Sequence, residues 1–169
     1  ARVMAALDGL GLNVRTGTDC TSVVADLIDK HDGPTVLLRA DTDALPMTEE
    51  SGLDFQSTVE GRAHACGHDA HTAMLVGAAR VLSTRRNEIL GRVRFMFQPG
   101  EEGFAGAQIM IDEGVLEGVD RAFALHVSPN QRIGTAGSRA GALLAGDTSI
   151  TVTVTGRGFV DTGSLRVLL

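Results

Sequence analysis

The sequence predicts an α/β domain of three layers built on a mainly parallel sheet. Short apolar runs of β-type composition alternate with helix-periodic segments, the pattern of strands connected by crossover helices. The runs are apolar almost throughout, as strands covered on both faces are. Polar, chemistry-bearing residues follow directly after these runs, where open parallel sheets collect their functional loops.

The first run is Thr35 to Leu38, which leads into Arg39, Ala40 and Asp41. Asp69 reads as the N-cap of a helix, because Ala73, Met74, Gly77, Ala78, Val81 and Leu82 recur behind it at helical spacing as far as about Thr84. Arg85 and Arg86 then sit where positive charge complements the helix dipole. Val93 to Phe97 is the second strand. Glu101 and Glu102 follow Gln98, Pro99 and Gly100 and are expected to open the next helix. That helix, from about Ala105, turns Ala107, Met110 and Ile111 inward and stops at Gly114. Arg121 to Val127 is the third strand, with His126 at its end.

Ser149 to Thr155 breaks the pattern. It reads S-I-T-V-T-V-T, the alternation of a strand with one wet face, and marks a new sheet. A domain boundary is therefore expected near Gly146, separating residues 1–146 from 147–169.

A chain of 169 residues can bury roughly 70% of its unfolded surface, so a core is within reach. The net charge of −6 gives no case for nucleic acid or an anionic membrane, both of which call for clustered Lys and Arg. There is no twenty-residue apolar run, hence no spanning helix is expected. The two cysteines, Cys20 and Cys66, do not make a disulfide framework, and a reducing, cytoplasmic compartment is expected.

The segment HACGHDAH, residues 64 to 71, holds three of the chain's five histidines. Cys66 and His68 form a C-x-H pair before a helix, and thiolate with imidazole suits Zn²⁺ and related metals. The pair alone is weak, and a Cys/His nucleophilic couple is the competing reading. His64 and His71 read as loop-supporting residues bonded to backbone. Glu101 and Glu102, taken alone, complement a helix dipole. Taken with Cys66, His68 and His126, they suggest a division of labour, one carboxylate binding metal and its neighbour serving as general base. The nucleophilic couple leaves the Glu pair and His126 unused.

The blocks RADTDALP (39 to 46), HACGHDAHT (64 to 72), FQPGEEG (97 to 103), GAQIMIDEGVLEGVD (106 to 120) and ALHVSP (124 to 129) resemble the metal-dependent amidohydrolases of peptidase family M20. The resemblance is to the branch of N-acyl-amino-acid amidohydrolases, hippurate hydrolases and auxin-conjugate hydrolases. It implies a zinc-exopeptidase-like catalytic domain followed by an α+β lid that often mediates homodimerisation. It implies Cys66, His68, Glu102 and His126 as ligands of a divalent metal, two ions per site, with Zn, Mn, Co or Ni all compatible. Glu101 becomes the general base and acid, and Asp41 supports the ligands from behind, Arg39 standing where related exopeptidases carry a His. Asp69 supports the site by capping its helix. The implied reaction is hydrolysis of a small N-acyl amino acid, with a catalytically inactive remnant that binds metal as the alternative. The likeness fades after about residue 158, where Phe159 and Val160 replace a Gly-His pair, so a partial catalytic domain and the first strand of the lid are expected.

Overall fold

The computed structural model describes residues 1–28 and 32–144, and the chain divides into two compact units, Ala1–Ser128 and Pro129–Leu169. The expected boundary near Gly146, the strand Ser149 to Thr155 and the start of the lid lie outside the described residues. In the second unit, residues 129–144 form turns, with the Thr135 N–H donating to the Arg132 carbonyl and the Arg139 Nε to the Ala142 carbonyl.

The first unit is built from α1 (Arg2–Leu7), β1 (Asn13–Thr16), β2 (Val23–Ile28), β3 (Thr35–Asp41), α2 (His68–Thr84), β4 (Arg92–Gln98), α3 (Gly106–Asp112) and β5 (Arg121–Ala124). The sheet has five strands in the order β1-β2-β4-β3-β5. It is mixed rather than mainly parallel. β3 runs parallel to both β4 and β5, whereas β1 pairs antiparallel with β2 and β2 with β4. The alternating helix and strand pattern reports only the crossover-connected strands, and β1 and β2 are joined by a short loop that carries no such signal.

Two clusters cover the two faces of this sheet, which gives the three layers. On one face Leu7 of α1 and Leu75 and Ala79 of α2 pack on Ala25, Leu27, Ala40, Phe95 and Phe97. On the other, Met110 of α3 and Val115 pack on Val24, Leu37 and Met96. Phe95 and Phe97, 0% and 1% exposed, each contribute about 1.5–3 kcal/mol relative to an exposed side chain. Arg94 is buried but satisfied, because its guanidinium donates to Asp26 on β2 and to the carbonyls of Val115 and Glu117.

Several local expectations are corrected. The buried face of α2 carries His68, His71, Leu75 and Ala79, while Met74 and Val81 are exposed; the apolar stripe is rotated so that both histidines face inward. Asp69 is not the N-cap. That position belongs to Gly67, and Asp69 accepts the neighbouring Ala70 N–H. Arg85 ends α2 but its side chain pairs with Glu88, and Arg86 donates to the Leu10 and Gly11 carbonyls. Glu101 and Glu102 lie in a turn, and α3 begins only at Gly106; its buried side is Met110, with Ile111 exposed. The turn folds back tightly, since a Cβ on Gly106 would stand 1.6 Å from the Pro99 carbonyl oxygen.

β5 ends at Ala124, short of Val127, and its residues are exposed. Apolar composition cannot reveal that α2 packs on β3 and β4 instead. Between α2 and β5 a cavity of about 270 Å³ remains, lined by Leu38, His71, Leu75, Phe123 and Leu125 among others. Among the described residues no helix is long and apolar enough to cross a membrane.

Candidate functional site

The parallel strands β3, β4 and β5 point their carboxyl ends to one edge of the sheet, so the segments that leave them meet there. Asp41 ends β3, Glu101 and Glu102 follow β4, His126 follows β5, and the start of α2 brings Cys66, His68 and His71. Three groups of residues bring possible ligand atoms within 4.8 Å of one another: Cys66 with His68 and His126, Asp41 with His68 and His71, and His68 with Glu101 and Glu102. His68 belongs to all three.

His68 is 1% exposed. Its Nδ1 lies 3.0 Å from the Asp43 carbonyl oxygen; a carbonyl only accepts, so Nδ1 carries a hydrogen, and in the neutral imidazole Nε2 then presents a lone pair. That Nε2 is buried with no hydrogen-bond partner among the described residues. Around it stand Asp41 Oδ2 at 3.7 Å, Glu101 Oε2 at 3.8 Å and Glu102 Oε1 at 4.0 Å. A buried lone pair ringed by three carboxylates is unfavourable unless a cation joins them, and this donor set suits one.

The same reasoning fixes the other rings. His126 Nδ1 donates to its neighbour's carbonyl, Val127 O, at 2.7 Å, leaving Nε2 to face Cys66 Sγ at 3.4 Å. His71 differs, because both its nitrogens are engaged. Nδ1 donates to Asp41 Oδ1 at 2.6 Å and Nε2 accepts the Val127 N–H at 2.9 Å.

Asp41 is 1% exposed and also accepts a hydrogen bond from Arg39. Burial pushes its carboxyl upward, but the His71 hydrogen bond and the Arg39 charge outweigh it and hold Asp41 below the usual carboxylate range. Asp43 behaves alike: burial raises it, and the backbone N–H groups of Glu102 and Glu101 more than offset this. Its Oδ2 accepts the Glu102 N–H at 3.0 Å, pinning the acidic turn. Cys66 moves the other way, its thiol pushed up by burial first and then by Glu102 and Glu101. Without a cation beside it, this thiol resists ionisation.

The two glutamates differ in depth. The Glu101 side chain is 41% exposed and that of Glu102 27%, so Glu101 is the more open to solvent. The structure thus brings together Cys66, His68, Glu101, Glu102, His126 and Asp41. Asp69 is exposed and lies outside the group, as does His64. Sequence reasoning missed His71 as part of the site; its i, i+3 relation to His68 places both on one helix face and was the available signal.

Residues 37–162 match peptidase family M20/M25/M40, a span that reaches slightly past the point where the likeness was expected to fade. An N-acetylcysteine deacetylase of Bacillus subtilis is 45% identical over 138 residues, 82% of this chain and 36% of that protein. An IAA-amino acid hydrolase of Arabidopsis thaliana is 43% identical over 156 residues, 92% of this chain and 36% of the relative. The crystal structure of a dinuclear metal-binding M20 peptidase from Bacillus subtilis superposes with a TM-score of 0.79 at 42% identity, covering 83% of this chain and 39% of that one. The chain therefore spans little more than a third of the length of these relatives.

Proposed function

The chain belongs to peptidase family M20/M25/M40, and from that premise we propose that it carries part of the catalytic domain of a metal-dependent amidohydrolase that cleaves N-acyl amino acids. The observation that carries the reading is the buried, unpartnered Nε2 of His68 facing three carboxylates.

In this reading Cys66, His68, Glu102 and His126 hold divalent metal, and Asp41 supports them from behind. Likeness to the dinuclear metal-binding M20 peptidase supports two ions; the mixed S, N and O set accepts Zn²⁺, Mn²⁺, Co²⁺ or Ni²⁺. Bound divalent metal supplies Lewis acidity for the amide carbonyl and makes water acidic enough to ionise near neutral pH. Glu101, the more exposed carboxylate, takes the proton from the attacking water and returns it to the leaving amine. The products are a carboxylic acid and a free amino acid.

The thiol-nucleophile alternative is disfavoured by burial and by Glu102, which both oppose the Cys66 thiolate. The other reading is metal binding by these residues without turnover. One experiment separates them: metal analysis of the purified chain together with hydrolysis of an N-acetyl or N-benzoyl amino acid. Chelator-sensitive turnover that Glu101→Gln abolishes supports the amidohydrolase. Metal binding with no turnover supports the second reading, and turnover indifferent to chelator sinks both.

A further inference from the structure

Of the two buried histidines, His68 and His71, His71 has both ring nitrogens committed to hydrogen bonds. Its Nδ1–H is committed to Asp41 and its Nε2 lone pair to the Val127 N–H. Although Asp41, His68 and His71 group closely enough to suggest a buried ion site, an ion there would have to break one of these bonds.

The partner on Nε2 is the useful clue. The ladder between β3 and β5 ends at the pair Arg39 and Ala124, so strand pairing fixes the chain only up to a point before His126. Beyond it, Val127 is tied to α2 twice. Its backbone N–H meets His71 at 2.9 Å, and its side chain closes on Gly67, where an added Cβ would come within 2.4 Å of Val127 Cγ2. The His71 and His126 rings also pack edge to face, with centroids 4.5 Å apart. At the other end of the bridge, Asp41 is held by Arg39 and by the same His71 ring.

Resting on the proposed function and deepening it, we infer that His71 is a positioning residue that docks the His126 segment onto α2 and Asp41, and so aims His126 Nε2 at Cys66. The bridge spans elements far apart in sequence: His71 lies 30 residues from Asp41 and 56 from Val127. Such partners behind a ligand are worth roughly 10–100-fold in metal affinity.

The test uses the purified full chain, Co²⁺ titration followed by absorption, and amide hydrogen exchange at Val127 without metal. Two variants are needed: His71→Ala removes both bonds, while His71→Asn keeps a donor for Asp41 but is too short to accept from Val127. Both should weaken Co²⁺ binding about 10–100-fold and speed Val127 exchange. In a His126→Ala background the loss from His71→Asn should shrink to under about 3-fold, because coupled residues are not additive. Losses that add fully across the two sites, or Val127 exchange unchanged in both variants, overturn the inference. Failure of the metal reading looks different: the parent chain binds no Co²⁺, or His68→Ala does not weaken it. Val127 exchange and the His126 ring resonances would still report the docking, which stands if both respond to His71→Asn and falls if neither does.

Discussion

The Nε2 of His126 stands 3.4 Å from the Cys66 sulfur across 60 residues of sequence, joining the end of β5 to the loop before α2. Both atoms also lie within reach of His68. Zn²⁺ or Mn²⁺ should therefore stabilise the folded chain, by about 2.7 kcal/mol when the ion is at a hundred times its dissociation constant. Cys66→Ala and His126→Ala should each remove most of that gain. Thermal unfolding with and without ion measures it; an equal gain in parent and variants would show that the ion binds elsewhere.

Glu101 and Glu102 are neighbours at different depths, and the proposed function gives them different roles. Glu102 is the deeper, and its backbone is pinned by Asp43, whereas Glu101 is the more exposed. Glu101→Gln should lower hydrolysis of an N-acetyl amino acid by ~10²–10⁴-fold and leave Co²⁺ affinity intact. Glu102→Gln should weaken Co²⁺ binding itself. Identical behaviour of the two variants in both assays would deny the division of labour.

What the sequence made legible was local. The C-x-H pair, the double glutamate and the apolar runs of β3 and β4 each fit within a few residues, where spacing and composition report geometry directly. The missed features depend on long-range packing. His71 looked like loop support because its partners, Asp41 and Val127, are distant in sequence. The face of α2 was misjudged because His68 and His71 count as polar by composition yet are buried through specific bonds. Asp69 looked like a cap because its type is right, but Gly67 at φ 81° already turns the chain into the helix.

Gly67 carries two separate demands, and they can be measured apart. Its left-handed backbone penalises any Cβ by about 1–2 kcal/mol, and the Cβ would also collide with Val127. Gly118 shares the first demand, at φ 69°, with nothing within 4 Å. In urea denaturation Gly118→Ala should cost only the backbone strain, and Gly67→Ala about 1–3 kcal/mol more from overpacking. Gly67→Ala should also weaken Co²⁺ binding by displacing the segment that carries His126. Equal stability losses in the two variants would mean that Val127 yields without resistance.

Away from the site, Glu113 after α3 holds the loop between β1 and β2. Its Oε1 accepts the Thr18 N–H at 2.7 Å, the Asp19 N–H at 2.9 Å and the Thr18 hydroxyl at 3.0 Å. The backbone N–H of Asp19, then that of Thr18, holds its carboxyl below the ordinary value of 4.5. A group lowered on folding stabilises above its unfolded value and loses that contribution as pH falls through its folded one. The contribution of Glu113 should thus be complete at neutral pH and fade below about 4.5. Glu113→Gln should destabilise the chain at pH 7 and converge with the parent in acid, followed by urea denaturation across that range. A parent-to-variant difference that stays constant with pH would show that the carboxylate charge plays no part in holding the loop.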